Sequence, residues 1–244
     1  MKAPAGRICV VTGASSGIGE ALSVALARMG GRVWAIGRNR ERLESLAEDV
    51  PQGTGNVVPV VADLERDEDL AAAGDEILSG SDRVDVLVHS AGAITLGGFG
   101  SVSPADFDRQ YRVNLRAPVV LTQALLPALK RAEGQVVFIN SSAGLRASAD
   151  NVLYAATKHG LKAIADGLRD EVNADRVRVI SVYTGRTATP MQASVHEHEG
   201  RQYLPELLLR PDDVVEVVLA ALAVPLSGEV TDVNVRPIAK LPPS

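Results

Sequence analysis

Cysteine is almost absent from this chain of 244 residues, and Cys9 is the only one. One cysteine cannot form a disulfide within the chain, which excludes a disulfide-stapled scaffold and fits a reducing compartment. Basic residues are not in excess either, since the net charge is -5. A chain of this charge has no general affinity for nucleic acid or for an anionic membrane.

Long hydrophobic runs are missing as well. No apolar run reaches the roughly 20 residues that a membrane-spanning helix needs, and residues 1–6 lack the apolar core of a signal peptide. These absences predict a cytoplasmic protein with neither a nucleic-acid nor a membrane partner. No fixed-period repeat or break in composition divides the chain, so we expect a single domain over residues 1–244.

Stretches rich in β-branched residues alternate with stretches of helical periodicity. The predicted strands show little polar alternation, which indicates burial on both faces and a parallel sheet between helices. A TIM barrel shows the same alternation, but a glycine turn directly after the first strand favours a doubly wound sheet. The strands are predicted at residues 7–11, 32–36, 56–61, 84–88, 135–139, 177–182 and 230–235. The helices are predicted at residues 17–29, 40–49, 67–79, 104–130, 153–173 and 211–223.

The glycine turn after the first strand reads Thr-Gly-Ala-Ser-Ser-Gly-Ile-Gly over residues 12–19. Gly13 permits a tight exit from the strand, Gly17 lets the backbone approach a ligand, and Gly19 lets helix and strand pack closely. The amino end of the following helix then points at a phosphate group. The spacing differs from Gly-x-Gly-x-x-Gly, the general dinucleotide fingerprint, and a merely tight structural loop is the alternative.

Tyr154 and Lys158 form a second motif, Tyr-x-x-x-Lys, in a helical stretch. Residues four apart lie on one helix face, so the Lys158 ammonium is expected near the Tyr154 hydroxyl. A free tyrosine titrates near ~10, and a nearby cation lowers that pKa toward the range of acid–base catalysis. The motif is common by chance, and a solvated or packing pair is its alternative. Beside a nucleotide-binding turn, it predicts an enzyme that protonates a substrate oxygen.

These two motifs, and the residues between them, resemble the short-chain dehydrogenase/reductase family over nearly the whole chain. In that family a tetrad of Asn, Ser, Tyr and Lys carries the chemistry, and the resemblance places it at Asn114, Ser142, Tyr154 and Lys158. Ser141 is the competing candidate, because the interval between serine and tyrosine varies among relatives. The resemblance also implies a Rossmann fold with seven parallel strands and a homodimer or homotetramer.

The resemblance implies a role for each member of the tetrad. Ser142 and Tyr154 are expected to hydrogen-bond the substrate carbonyl oxygen, and Tyr154 to donate the proton. Lys158 is expected to lower the pKa of Tyr154 and to hold the nicotinamide ribose, while Asn114 holds a water that returns the proton. The substrate is expected to be a small molecule with a carbonyl or alcohol group, in an apolar pocket lined by Leu145, Val152 and Leu153.

Further cofactor contacts follow from the same resemblance, in the glycine turn and after later strands. The full predicted set is Gly13, Ser15, Ser16, Gly17, Ile18, Gly19, Arg38, Asn39, Asp63, Leu64, Ser90, Ala91, Gly92, Tyr154, Lys158, Gly185, Thr187 and Thr189. Asp63 has an alternative role as a helix cap. Residues at about 190–210 are expected to form a lid over the substrate. We predict no metal site, because His196 and His198 have no evident further ligands.

Two short segments depart from the family pattern. Residues 89–92 read His-Ser-Ala-Gly where the family has Asn-Asn-Ala-Gly, and residues 184–185 read Thr-Gly where it has Pro-Gly. Ser90 can still offer its backbone carbonyl to the cofactor, but the asparagine side-chain bond that braces the sheet is lost. We interpret His89 as a structural histidine at the end of a strand.

A carboxylate is missing where a protein specific for NAD(H) needs one. The end of the second strand, about 20 residues beyond the glycines, usually carries Asp or Glu to bind the ribose 2′-hydroxyl. Here Gly37 takes that position and Arg38 follows, with a planar guanidinium suited to a phosphate. We therefore predict NADP(H) over NAD(H). The alternative is that Arg38 and Arg40 belong to the solvated start of a helix.

Three classes of function fit these observations. The first is an NADPH-dependent carbonyl reductase or alcohol dehydrogenase, for which reduction is the expected direction in a cell. The second is a redox sensor that binds NADP(H) without turnover, and such a sensor has no need of Tyr154 together with Lys158. The third, a sugar-nucleotide epimerase or dehydratase, shares Tyr-x-x-x-Lys but needs additional chain after the seventh strand.

Overall fold

A sheet of seven parallel strands forms the centre of the protein, in a computed structural model that describes residues 6–239. Their order across the sheet is β3-β2-β1-β4-β5-β6-β7. This order confirms the doubly wound, Rossmann-type fold and rules out a closed barrel, since β3 and β7 are free edges. The strands are β1 (Ile8–Thr12), β2 (Arg32–Gly37), β3 (Asn56–Val61), β4 (Val86–His89), β5 (Gln135–Ser141), β6 (Arg178–Thr184) and β7 (Asp232–Val235).

Helices cover both faces of this sheet. They are α1 (Gly17–Arg28), α2 (Arg40–Glu48), α3 (Asp67–Gly80), α4 (Pro104–Tyr111), α5 (Ala117–Ala132), α6 (Val152–Val172), α7 (Pro190–His198) and α8 (Pro211–Leu222). Cys9 and Val11 pack in the layer that contains α1 and α8, and Val10 packs in the layer that contains α3, α5 and α6. Burial on both faces explains why the strands show no polar alternation. Between residues 6 and 239, no helix is long and apolar enough to cross a membrane.

Two elements differ from the sequence-based expectation. The long helix predicted at residues 104–130 is interrupted by a π-helical segment, Arg112–Arg116, between α4 and α5. Pro118 has no N–H, so the α-helical bond to the Asn114 carbonyl cannot form, and the Ala117 N–H bonds five residues back to Arg112. The second difference is α7, a helix inside the segment expected only as a lid.

The order of the strands reverses between β1 and β4. In open α/β sheets such a reversal leaves a crevice at the carboxyl ends of the strands. Thr12, the last residue of β1, joins the two sides. Its Oγ1 accepts hydrogen bonds from the backbone N–H groups of Ser90 at 3.1 Å and Ala91 at 3.2 Å, just beyond β4. The candidate site lies at this edge of the sheet.

Candidate active site

The glycines of the turn bring backbone close to this crevice. Gly13 and Gly17 have φ angles of 68° and 59°, in the left-handed region that favours glycine. A Cβ on Gly13 would lie 2.7 Å from the Ala91 Cα, and a Cβ on Gly19 would collide with the Gly13 carbonyl. The contact at Gly19 is the close packing of helix against strand that the sequence predicted. The amino end of α1 therefore faces the crevice, where the glycines leave its backbone accessible.

One cleft at this edge brings together most of the predicted cofactor contacts. It is bounded by the glycine turn, by the carboxyl ends of β2 to β6 or the residues that follow them, and by the start of α6. From the predicted set it is lined by Gly13, Ser15, Ser16, Gly17, Ile18, Arg38, Asp63, Leu64, Ser90, Ala91, Gly92, Tyr154, Lys158 and Thr189. We refer to it as the cofactor cleft.

Four residues of the predicted set lie outside the cofactor cleft. Gly19 packs against the backbone of the turn. Asn39 caps α2, because its side-chain oxygen accepts a hydrogen bond from the Arg42 N–H at 3.0 Å. Gly185 and Thr187 line a neighbouring cavity instead. We refer to this second space as the substrate cavity, because it adjoins the tetrad.

Tyr154 lies where the two spaces meet, since it lines both the cofactor cleft and the substrate cavity. It stands in the first turn of α6 and is only 9% exposed. Burial raises the pKa of Tyr154 to about 12, and a hydrogen bond with Ser141 opposes this rise. The Lys158 Nζ is 5.9 Å from the centre of the tyrosine ring. The expected net lowering of the tyrosine pKa is therefore wrong in this geometry, and at pH 7 the hydroxyl is protonated.

Lys158 lies one turn further along α6 and is also buried. Burial lowers the pKa of its ammonium to about 8, because a charge is costly away from water. Its Nζ donates a hydrogen bond to the Ile139 carbonyl at 3.2 Å. The Asn140 side chain donates another, also at 3.2 Å, to the Lys158 carbonyl. These bonds attach α6 to the carboxyl end of β5 and set the position of the tyrosine and lysine.

The structure separates the two candidate serines. Ser141 ends β5, is hydrogen-bonded with Tyr154, and accepts a bond from the Ala143 N–H at 3.1 Å. Ser142 begins the 3₁₀ turn Ser142–Gly144 and is exposed. Both serines line the substrate cavity, so the assignment stays a prediction, and the interaction with Tyr154 favours Ser141 over Ser142.

Asn114 lies in the π-helical segment, behind the cofactor cleft. Its Oδ1 accepts a hydrogen bond from the Ala93 N–H at 2.7 Å, and its Nδ2 donates to the Ala93 carbonyl at 2.8 Å. The same Nδ2 also donates to the Thr157 Oγ1 at 3.0 Å. The side chain thus braces the loop after β4 against α6.

His89, at the end of β4, is a structural histidine, as interpreted from the sequence. It is buried, stacks on Phe138 with ring centres 5.1 Å apart, and shares a hydrogen bond with the Thr122 Oγ1 at 2.8 Å. Burial lowers the pKa of His89 to about 3. The imidazole is therefore neutral at physiological pH, and its hydrogen bond joins the end of β4 to α5.

We expect His89 to destabilise the protein in acid. Its folded pKa of about 3 lies below the ordinary 6.5, so the unfolded state binds the proton first. The free energy of unfolding then falls as the pH drops from about 6.5 toward 3, and this residue accounts for about 2 kcal/mol between pH 7 and pH 5. Urea unfolding of wild type and His89→Gln at both pH values measures the difference. An equal loss in both proteins would contradict the assignment.

The substrate cavity has a mixed lining. Its apolar wall is formed by Ile18, Ile94, Leu96, Met191 and Val195, and its polar wall includes Arg146, Asn151, Arg186, Gln192 and Glu199. The expectation of an apolar pocket lined by Leu145, Val152 and Leu153 is wrong, since none of the three is part of this lining. Leu145 is 45% exposed instead.

Several residues of the cofactor cleft had no place in the predicted cofactor set, and three of them carry polar side chains of interest: Asn140, Glu65 and Arg109. Asn140 is the penultimate residue of β5, and its position at a carboxyl strand end was a usable signal. Glu65 directly follows Asp63 and Leu64. Arg109 reaches Glu65 from α4, with its Nε 3.0 Å from the Glu65 Oε1. No local pattern marks Arg109, because its proximity is a consequence of folding alone.

Similar proteins are found by sequence and by structure. A family model described as short chain dehydrogenase matches residues 7–200. An uncharacterized oxidoreductase of Staphylococcus aureus (strain MW2) is 31% identical over 234 residues, which are 95% of this chain and 97% of the relative. A metagenomic short-chain oxidoreductase in complex with NADP is 30% identical, with a TM-score of 0.84 over 98% of this chain and 100% of that one. An alcohol dehydrogenase from the archaeon Thermococcus sibiricus, complexed with 5-hydroxy-NADP, is 28% identical, with a TM-score of 0.87 over 98% and 99%.

Proposed function

Because the chain belongs to the short-chain dehydrogenase family, we propose that it is an NADP(H)-dependent oxidoreductase acting on a carbonyl or secondary alcohol group. The observation that carries this proposal is the position of Tyr154. It is buried, hydrogen-bonded with Ser141, followed by Lys158 on the same helix, and placed between two spaces. One space has the lining of a dinucleotide site, and the other is left for the substrate.

The lining of the cofactor cleft fits a nicotinamide dinucleotide. Gly13 and Gly17 hold φ angles that glycine favours, and the turn therefore offers backbone rather than side chains to a pyrophosphate. The bound dinucleotide supplies or accepts the hydride. Arg38, Lys158 and Thr189 all line the cleft, and we assign the nicotinamide end to Lys158 and Thr189 and the adenosine end to Arg38. Two of the similar structures are complexes with NADP or 5-hydroxy-NADP, which supports this assignment.

Tyr154 is the proton donor in the proposed reduction. Its pKa of about 12 keeps the hydroxyl protonated, so it can donate a hydrogen bond to a carbonyl oxygen in the substrate cavity. Ser141 donates a second hydrogen bond to the same oxygen as negative charge develops there. The proton then moves from the Tyr154 Oη to this oxygen, and the Lys158 ammonium stabilises the phenolate that remains. In the reverse direction the phenolate accepts the proton of the alcohol.

We also propose that residues 190–210 act as a lid over the two spaces. The Thr189 Oγ1 caps α7 by accepting a hydrogen bond from the Gln192 N–H at 3.2 Å. A parallel bridge between Thr187 and Leu209 closes the base of the segment. Met191, at the start of α7, lines both the cofactor cleft and the substrate cavity. A change in the position of α7 would therefore open both spaces together.

Oxidation of NADPH in the presence of carbonyl compounds tests the proposed activity. Wild-type protein is mixed with NADPH, and in parallel with NADH, and offered a panel of ketones, aldehydes and diketones. We expect turnover that is faster with NADPH. Binding of NADPH without turnover of any member of the panel would favour the alternative of a non-catalytic redox sensor.

Arg38 is expected to decide between the two cofactors. It lines the cofactor cleft, whereas Arg40 pairs with Glu44 on α2 at 3.6 Å and lies outside it. Arg38→Ala should weaken NADPH binding by about tenfold or more, because the 2′-phosphate loses a charge-assisted hydrogen bond worth ~1.5–3 kcal/mol. NADH binding should change little, and the matched control Arg40→Ala should affect neither cofactor by more than about twofold. Fluorescence titration measures the dissociation constants of NADPH and NADH. If Arg38→Ala weakened the binding of both cofactors equally, the result would contradict the assignment.

A further inference from the structure

A carboxylate lies at the adenosine end of the cofactor cleft, although none stands at the end of β2. It belongs to Glu65, which follows β3 and lines the cleft together with Arg38 and Arg109. The Glu65 Oε1 is 3.0 Å from the Arg109 Nε and 3.7 Å from the Arg38 Nη1. One carboxylate oxygen therefore faces both arginines of this region.

The backbone of Glu65 is held on both sides. Its N–H donates a hydrogen bond to the Asp63 Oδ1 at 3.1 Å, and its carbonyl accepts one from the Arg112 Nη1 at 3.3 Å. Its side chain is 28% exposed, against 62% for Arg38. Arg38 is thus the more exposed partner, with open space around its guanidinium, whereas Glu65 is held by more of its neighbours. Any anion that reaches Arg38 comes close to the Glu65 carboxylate.

We propose that Glu65 is a specificity-determining residue that competes with the cofactor 2′-phosphate for Arg38 and Arg109. This inference rests on the proposed function, in which Arg38 binds that phosphate. A phosphate monoester carries close to two negative charges at neutral pH, so Glu65 repels it while the arginines attract it. NADH has a hydroxyl at the same position, and a carboxylate accepts a hydrogen bond from it. Glu65 therefore reduces the factor by which the protein binds NADPH more tightly than NADH.

The test compares two nucleotides that differ only in the 2′-phosphate, adenosine 2′,5′-bisphosphate and 5′-AMP. Glu65→Gln removes the negative charge and keeps an oxygen that can accept the Arg109 hydrogen bond. We expect this variant to bind adenosine 2′,5′-bisphosphate about three- to tenfold more tightly than wild type. Binding of 5′-AMP should stay the same or weaken slightly. Isothermal titration measures both affinities on the full chain, and neither depends on turnover.

Two controls isolate the local effect of this charge. Glu44→Gln removes the same charge from a glutamate that pairs with Arg40 outside the cleft, and it should change both affinities by less than about twofold. Raising the ionic strength to 1 M shortens the screening length to about 3 Å. The affinity that Glu65→Gln gains over wild type for adenosine 2′,5′-bisphosphate should therefore become smaller. Thermal unfolding of both variants confirms that each is folded.

Each outcome decides the inference. Tighter binding of adenosine 2′,5′-bisphosphate by Glu65→Gln, with no such gain in Glu44→Gln, supports it. A wild type that prefers adenosine 2′,5′-bisphosphate, together with an unchanged affinity in Glu65→Gln, overturns this inference and leaves the proposed cofactor in place. Weaker binding by Glu65→Gln also overturns it, because Glu65 would then position Arg38 for the phosphate. A wild type that does not distinguish the two nucleotides refutes the NADP(H) assignment, and the inference falls with it.

Discussion

Tyr154→Phe is expected to lower NADPH-dependent turnover by about a thousandfold while leaving the dissociation constant of NADPH within about twofold. The substitution removes one oxygen atom from a buried ring and keeps the packing of α6. What is lost is the one phenol hydroxyl that lines both the cofactor cleft and the substrate cavity in the described part of the chain. Stopped-flow absorbance of NADPH measures the chemical step, and fluorescence titration measures binding.

Tyr183 offers a matched control for this variant. It is 2% exposed in β6 and belongs to the lining of neither space, so Tyr183→Phe makes the same chemical change at a buried tyrosine outside the site. Turnover of the control should stay close to that of wild type. Retained turnover in Tyr154→Phe would contradict the proposed role, whereas equal losses in both variants would point to a structural effect of removing a buried hydroxyl.

Ser141→Ala is expected to lower kcat/KM by about a hundredfold, because a hydrogen bond to the developing oxyanion is lost. Ser142→Ala should cost less than about threefold, since Ser142 is exposed and starts the next turn. The hydrogen bond from Ser141 also lowers the pKa of Tyr154, against the larger effect of burial, which raises it. Alcohol oxidation needs the Tyr154 phenolate, so its rate increases with pH. Removing the Ser141 hydroxyl should shift this increase to higher pH. Rate measurements on both variants with the best substrate of the panel, repeated across pH, test this ranking.

A reversed ranking of the two serine variants would restore Ser142 as the catalytic serine. Equal and small losses would mean that Tyr154 acts without a serine partner. Cofactor binding provides the control here, because Ser141 lines only the substrate cavity. The dissociation constant of NADPH should be the same for both variants and for wild type.

The fold followed closely from the sequence. Strands buried on both faces leave uninterrupted β-branched runs, and the seven predicted strands match the seven observed ones within about two residues at each end. The π-helical segment Arg112–Arg116 and the helix α7 were not predicted. The first depends on a shift of one hydrogen bond next to Pro118. The helix α7 has only a weak pattern of helical apolar spacing, because several of its residues line the two spaces instead of packing into a continuous core.

The sequence alone determined the features that depend on local order along the chain. These are the glycine turn, the spacing of Tyr154 and Lys158 on one helix face, and Gly37 in place of a carboxylate at the end of β2, followed by Arg38. The sequence did not show how deeply each side chain is buried, and burial decides the direction of the pKa shifts. It raises the pKa of Tyr154 to about 12 and lowers the pKa of Lys158 to about 8. The spacing of four residues indicated only the electrostatic attraction between the Lys158 ammonium and the Tyr154 phenolate.

Only the tertiary structure decided which of two neighbouring serines faces the tyrosine, and which charges meet around the adenosine end of the cleft. Glu65 and Arg109 are 44 residues apart in the chain and 3.0 Å apart in space. Such a contact depends on how α4 packs beside the end of β3, and no pattern near either residue encodes it. Charge interactions act through space and are weakened by water, so their effect on the cofactor follows from the folded geometry and its exposure.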